Sequence, residues 1–499
     1  VTNAPLALAK QLLAILAKDA LTLKLYDDYL HGRHPDPYMP DTADAEYKLI
    51  AKRSVSNWMP LLVSTPCQAL YVDGFRRGGP QTEADKLGNA IKNPEWDHWQ
   101  RSRMDARQGA IYQGALAYGH SFTVTLKKKG KAETRGLSAR KTAALFEDPA
   151  NDETPYAALT IDRYPSADGE VKGTARLWDG RNEYVVRFKS HTDGITVANG
   201  TRHGASECPV TRFAASVDLD GRTIGVIGPM MALQDRINQT VFDLLITQTG
   251  GAFQVRTATG MAPPLKMRPV YEDPNDTTSE IIDVVPMLDQ SGNPIPADVN
   301  LNAKRFLFAE DSDVEFGVLP ASPLAGYIES IDMSIRHLSA ISQTPPHFLL
   351  GQIANLSAEA LTAAEISLQR KIEAFRKGFG ESWERVFRLA AELEGIEVSD
   401  DDFSSEVIWR DMESKSLAQS ADALGKLKDQ LGIPAKGLWK RVPNVTQTEL
   451  NEWSDMADED PEIALALALK RATVKKAEAE PKPPTAPAAP KVTPAGLAA

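Results

Sequence analysis

The sequence is poor in cysteine. Its 499 residues hold two, Cys67 and Cys208, far apart and in no CxxC pair. That argues against a disulfide scaffold and a zinc ribbon, and it fits a reducing compartment. Long apolar runs are missing as well. "GVIGPMMAL" (225–233) and "IALALAL" (463–469) fall short of the roughly 18 residues a spanning helix needs, so no membrane partner is expected. The N-terminal stretch carries Lys10, Lys18 and Asp19 through its apolar residues and has no clear cleavage site. It reads as a helix, not a signal peptide. Positive charge is in deficit, with a formal net charge of −11. The acidic balance argues against a protein that coats nucleic acid through a large basic surface, and leaves weak contact with DNA open.

Catalytic motifs are also scarce. There is no GxxxxGK[ST]; the pairs Gly130-Lys131 and Gly425-Lys426 lack the phosphate loop. "GRTIGVIG" (221–228) has three glycines at the wrong spacing for a dinucleotide turn. His31 and His34 form "HGRH" without a third ligand nearby, which suits a solvated turn better than a metal site. His120 beside Ser121 lacks a G-x-S-x-G elbow, so Ser121 reads as the start of a strand. "DEDPE" (458–462) and Asp400, Asp401 and Asp402 read as solvated carboxylates. No catalytic residue, cofactor site or metal site is expected.

What is present is a change of periodicity along the chain. Length alone suggests roughly two to four domains. Helical spacing covers 5–30, much of 44–73 and 80–118, broken by "HGRHPDPYMP". From "SFTVTLKK" (121–128) to about 225 the signal is β: "YAALTIDRY", "TARLWDG", "EYVVRFKS", "GITVANG". After Gly228-Pro229, Leu233, Ile237 and Val241 form a helical stripe that Gly250-Gly251 is expected to stop. Strands and Pro-rich loops return over 252–320. Ile328, Ile331, Ile335, Leu338 and Ile341 then mark a second helix, ended by Pro345-Pro346.

A third helix starts near Ser357, a suitable N-cap, with Glu359 placed where the helix dipole favours an anion. Leu368, Ile372, Phe375, Phe379, Trp383, Val386 and Leu393 recur down it. Unbroken to Glu394, it is about 57 Å long at about 1.5 Å per residue. Gly378 and Gly380 interrupt it and suggest a kink or a close helix crossing. "EVIW" (406–409) reads as a strand, two small helices follow, and the Pro/Ala-rich end reads as disordered.

Two basic clusters stand out. "LKKKGK" (126–131) reads as a hairpin tip. "LQRKIEAFRK" (368–377) puts Arg370, Lys371, Arg376 and Lys377 on the long helix. It is either a DNA-facing patch or a solvated face paired with Glu365, Glu373 and Glu381. Trp96, Trp99, Trp383 and Trp409 read as core, not as stacking platforms.

The order of these parts resembles the portal proteins of tailed double-stranded-DNA bacteriophages, of the siphophage and actinophage type. The resemblance covers roughly residues 20–460. It is carried by "YDDYLHGRHPDPYMP", "RSVSNWMPLLVSTPCQALYVDGFR", "GALAYGHSFTVTL", "LLGQIANLSAEALTAAEISLQRKIEAFRKGFGESWERVFRLA" and "VIWRDMESKSLAQSADALGKL". It implies an α+β portal fold, assembled as a ring. Residues 1–228 would be the N-terminal wing, 229–249 and 323–343 the two stem helices, and 250–322 a small α/β clip. Residues 344–356 would be the tunnel loop, 357–410 the long wing helix and a strand, 411–470 the helical crown, and 471–499 a disordered tail.

The resemblance also implies partners: other copies in a dodecameric ring, double-stranded DNA passing through it, the terminase large subunit, major capsid and scaffolding proteins, and a head–tail adaptor. The place would be one capsid vertex of the virion, with assembly in the host cytoplasm. The missing ATP loop then means that a separate terminase motor supplies the energy. A conduit for any sequence must not hold phosphates tightly, because neutralising several per subunit would give strong, salt-dependent binding. Gln352, Asn355 and Ser357 in the neutral loop fit that requirement. The alternatives are a helical scaffold or adaptor without a channel, and a phage-encoded nucleic-acid enzyme.

Overall fold

The computed structural model describes residues 4–456 apart from 41–44, 77–93, 153, 167, 169, 253–255, 260–264, 274–277, 296–314, 319–322, 352–357, 397–404, 411–416, 443–444, 446–448, 451 and 454–455. The chain divides into two compact units. One comprises Val1–Pro35, Ser56–Arg236 and Ser334–Ala499; the other comprises Asp36–Val55 and Ile237–Met333. Helices and strands are mixed throughout, as an α+β chain requires.

The first unit opens with α1 (Pro5–Leu30). Pro5 suits the first turn, where its missing N–H costs nothing. Leu8, Leu12 and Leu16 fall on one face and are buried. They pack on a sheet of β4 (Thr142–Leu145), β5 (Ala157–Arg163), β6 (Gly173–Trp178), β7 (Asn182–Phe188) and β8 (Thr196–Val197), with β9 (Thr201–Arg202) beside β7. Every named pairing in it is antiparallel. The small residues Ala143, Ala157 and Ala175 and the larger Leu159, Leu177 and Phe188 belong to the same buried cluster as the helix leucines.

A second sheet has the order β10 (Val210–Ala214), β2 (His120–Lys128), β3 (Lys131–Leu137). The tip of the β2–β3 hairpin has Lys129 at φ 51° and Gly130 at φ 83°. Two positive φ values in a two-residue turn match the right-handed twist of the strands. "LKKKGK" is thus a hairpin tip, and its turn residues are exposed. β2 grows out of α5 (Met104–Tyr118) through Gly119 at φ 92°. A side chain there would meet the Thr223 carbonyl at 2.9 Å.

An aromatic core joins α5, β10, β1 (Val72–Arg76), α4 (Pro94–Arg101) and the long helix α9 (Ala358–Glu394), while α3 (Met59–Gln68) packs on α5. Trp99 stands edge-on to Trp383 at 4.8 Å, and Trp383 donates its indole N–H to Tyr112 Oη at 2.7 Å. Trp96, Trp99 and Trp383 are buried, as expected, while Trp409 is half-buried. "EVIW" forms β15 (Glu406–Trp409), antiparallel to β1. Further on lie α10 (Leu417–Leu431) and α11 (Ala435–Leu438).

The second unit holds α2 (Ala45–Arg53) and two separate two-stranded ladders. These are β11 (Arg256–Thr259) with β14 (Glu315–Val318), and β12 (Met267–Tyr271) with β13 (Ile281–Pro286). Helices α6 (Met231–Ala252) and α7 (Ala325–Ser342) contribute to both units. Within the second, Thr247 Oγ1 lies 3.3 Å from Tyr327 Oη and Gln239 accepts from the Tyr38 N–H at 2.7 Å. The glycine pair does not stop α6, which runs on to Ala252. Two helical glycines cost about 2 kcal/mol together, which tertiary packing overrides.

Candidate functional site

The two stretches singled out by sequence meet on α9. Its opening loop joins α7 to α9 and contains a short helix, α8 (Pro346–Leu350), that the loop assignment 344–356 did not foresee. The pair Pro345-Pro346 does more than end a helix: Pro345 caps and Pro346 starts α8, the position proline favours. Gln343 turns at φ 56°, and Gly351 at φ 66° ends α8. Gln352, Asn355 and Ser357 lie outside the described residues.

The chain around this loop is fastened to α9. Ser339 Oγ donates to the Thr344 carbonyl at 2.6 Å, and the Thr344 N–H returns to the Ser339 carbonyl at 3.1 Å. Lys371 Nζ donates to the Ser342 carbonyl at 2.7 Å, where the end of α7 leaves carbonyls without helical partners. Burial pulls the Lys371 ammonium down to about 8. His347 Nε2 lies 3.4 Å from Glu365 Oε1.

The four basic residues divide. Lys371 is committed to Ser342. Arg376 donates to the Ala69 carbonyl at 2.8 Å and the Arg410 carbonyl at 3.0 Å, with its guanidinium 6.0 Å from the Trp409 ring centre. Arg370 and Lys377 are exposed. Spacing alone put the four in one cluster, but the helix turns two of them inward to seal carbonyls.

Gly378 and Gly380 neither break α9 nor face another helix. A Cβ on Gly378 would sit 3.9 Å from the Ala214 carbonyl of β10, and one on Gly380 3.5 Å from Val407 of β15. They mark where the helix passes close to two strands.

The main residue that sequence reasoning missed is Arg385. It is 3% exposed. Nη1 donates to the Val210 carbonyl at 2.8 Å and Thr211 Oγ1 at 2.5 Å, and Nη2 to the Cys208 carbonyl at 2.8 Å. Glu207 lies 3.0 Å away. Ser382, one turn back, donates to the Arg212 carbonyl at 2.8 Å. Gly378, Ser382, Arg385 and Leu389, spaced four, three and four, form a second stripe beside the aromatic one. That spacing was the available signal.

A second missed centre is Asp27, 5% exposed on α1. It accepts from Arg33 at 2.7 Å and Tyr118 Oη at 2.8 Å, and pairs with the Arg140 guanidinium at 2.9 Å. Nearby, Tyr29 Oη donates to Asp235 at 2.7 Å, and burial plus that carboxylate push the phenol well up. These are structural networks at the root of α6.

The histidines and Ser121 take the structural roles. His31 Nδ1 sits 2.8 Å from the Asp27 carbonyl oxygen, and His34 packs its ring 4.7 Å from Tyr29. His120 Nδ1 lies 2.8 Å from Thr223 Oγ1, and Ser121 donates its hydroxyl to the Ile111 carbonyl at 2.8 Å. Asp400, Asp401, Asp402 and 458–462 lie outside the described residues. Among the described residues there is no metal-ligating group of three, and no helix is long and apolar enough to cross a membrane.

A family profile described as "Phage portal protein, SPP1 Gp6-like" matches residues 9–462. The chain belongs to that portal family. Among similar proteins is the portal protein of Mycobacterium phage D29, 32% identical over 383 residues, 74% of this chain and 71% of the relative. Another is the portal protein of Mycobacterium phage L5, 31% identical over 389 residues, with the same two coverages. The function is that of a phage portal protein, the resemblance drawn from the order of parts. Portal proteins of this family are structural virion components.

Proposed function

We propose that copies of this chain close into a dodecameric ring at one capsid vertex and that DNA passes through the centre. The terminase motor drives the genome inward, and a head–tail adaptor later occupies the outer end. In this reading α6 and α7 form the stem, 250–322 the clip, 344–356 the channel-facing loop and 411–470 the crown. Capsid and scaffolding proteins meet the wing.

Portal family membership across residues 9–462 supports this reading. One local feature sharpens it. A cation-free stretch, "GQIANLS", joins α8 to α9, while the neighbouring cations Lys371 and Arg376 are turned onto carbonyls. A contact that must slide over phosphates presents polar, uncharged groups. Gln352, Asn355 and Ser357 are assigned to that contact, with Arg370 and Lys377 as the exposed cations behind it.

The test is a double substitution, Gln352→Arg with Asn355→Arg. Rings counted by negative-stain microscopy should be unchanged, and packaging of DNA into proheads should slow severely. Packaging at the wild-type rate would remove these side chains from the channel.

A further inference from the structure

A cleft of about 290 Å³ lies between the two sheets of the first unit, with β2 and β3 on one side and β5 and β6 on the other. The β2–β3 hairpin gives it Val124, Leu126 and Leu137, and β6 gives it Trp178. Trp178 is 1% exposed and packs in a buried cluster with Phe122, Val124 and Val210. Its indole N–H has no acceptor among the described residues. A buried tryptophan ordinarily places that hydrogen on a partner. The cleft is thus lined by a side chain whose donor the chain itself leaves unanswered.

The rest of the lining is charged and unbalanced. Lys127, Lys128, Arg135 and Arg176 stand against Glu133 and Asp162, on a chain whose formal net charge is −11. Lys128 and Arg135 share the Glu133 carboxylate at 3.0 and 3.4 Å, and Arg176 pairs with Asp162 at 3.0 Å and Glu183 at 3.7 Å. Lys127 is exposed and has no ion pair among the described residues. Pairs this open to water contribute little to the fold, so an incoming carboxylate exchanges with them at small cost. The hairpin register spreads the cations: Arg135 lies opposite Val124, four residues before Lys128. That is about 13 Å at about 3.3 Å per residue. A single small acid does not touch both ends, whereas carboxylates strung along an extended chain match the spread.

We propose that this cleft is the docking site of an acidic segment from a partner protein. One aromatic side chain of the segment enters against Leu126, Leu137 and Trp178, a carbonyl beside it accepts from the Trp178 indole, and flanking carboxylates meet Lys127, Lys128 and Arg135. Small-molecule pockets start near about 300 Å³, so the cleft suits one anchoring side chain better than a whole cofactor. An anchor in a pocket ringed by polar groups is how a few residues carry most of an interface, and basic side chains reading an acidic motif set its specificity. The excess of cations turns a basic segment away. The assignment requires neither the ring nor the channel.

The experiment is fluorescence anisotropy of the full chain at low salt with the fluorescein-labelled peptide Asp-Glu-Phe-Asp-Glu-Asp, beside its counterpart with glycine in place of phenylalanine. The phenylalanine peptide should bind about tenfold more tightly than the glycine one. Lys127→Glu/Lys128→Glu should weaken it about tenfold, while Lys10→Glu/Lys18→Glu, an equal change of charge on the exposed side of α1, should bind as wild type does. Trp178→Phe, which costs the fold no side-chain hydrogen bond, should also weaken it. No binding, equal binding by the two peptides, or equal binding by wild type and either cleft variant overturns the proposal. Displacement of the peptide by an equal concentration of phenylacetate assigns the cleft to a small acid and overturns it too. If the cleft variants misfold, a photo-cross-linking residue at Lys127 decides: capture of the phenylalanine peptide supports the proposal, and capture of this chain's own residues, or of nothing, overturns it.

Discussion

Replacing Arg385 by Met keeps the aliphatic stem of the side chain and removes its five donors. The Cys208 and Val210 carbonyls then lose partners at 2.8 Å, at a site 3% exposed. Each unsatisfied buried acceptor costs about 1–3 kcal/mol. The Glu207 carboxylate is 41% exposed, so screening makes its share of the pair small, below about 1 kcal/mol. The sum for Arg385→Met is about 3 kcal/mol, roughly a hundredfold in the folding equilibrium. The melting temperature should fall by about 6–12 °C at roughly 2–4 °C per kcal/mol. Urea denaturation of the full chain measures it, with Glu207→Gln in parallel. That companion should lose less than about 1 kcal/mol. An Arg385→Met midpoint equal to wild type, or a Glu207→Gln loss as large as that of Arg385→Met, would refute the idea that carbonyl sealing holds α9 against β10.

Two further outcomes follow from buried groups. His98 is 1% exposed, with Nε2 2.8 Å from Thr134 Oγ1, and burial pushes its imidazole down to about 4. The unfolded chain, with an ordinary histidine near 6.5, takes the proton first, so stability falls as pH drops from about 6.5 towards 4 and is unaffected above that window. The loss approaches about 3 kcal/mol, and His98→Gln should reduce the slope of urea midpoint against pH, the rest coming from His120, which burial also pushes down to about 4; an unchanged slope would discard His98 as a source. Gly225 lies against α5, where a Cβ would stand 2.7 Å from the Gly119 nitrogen and 2.9 Å from the Leu116 carbonyl. Gly225→Ala should therefore destabilise by about 1–3 kcal/mol, read by thermal unfolding, and a neutral result would show that the turn can move aside.

Much of this chain is legible from periodicity. The 3.6-residue spacing predicted α1, α6, α7 and α9 within a few residues, and alternation predicted β2, β5, β6, β7 and β15. Local steric and hydrophobic rules act over one or two turns, and the sequence displays them directly. The errors are equally local in origin. Pro345-Pro346 ended one helix and also started another, and Gly250-Gly251 failed to stop α6, because a proline or glycine sets a cost and not an outcome. The candidate site was legible only in part: the cluster Arg370, Lys371, Arg376 and Lys377 was visible, but not its division into inward and outward pairs.

By itself the sequence determined the order of helices and strands, the absence of nucleotide and metal motifs, and the portal family, since each depends on neighbours along the chain. Only the tertiary structure decided what the charges do. Arg385 and Arg376 are hydrophilic by composition, yet Arg385 seals carbonyls 175 and 177 positions away and Arg376 carbonyls 34 and 307 positions away. A charge is stable inside a protein when donors and acceptors converge on it from several elements, and that convergence is a property of packing.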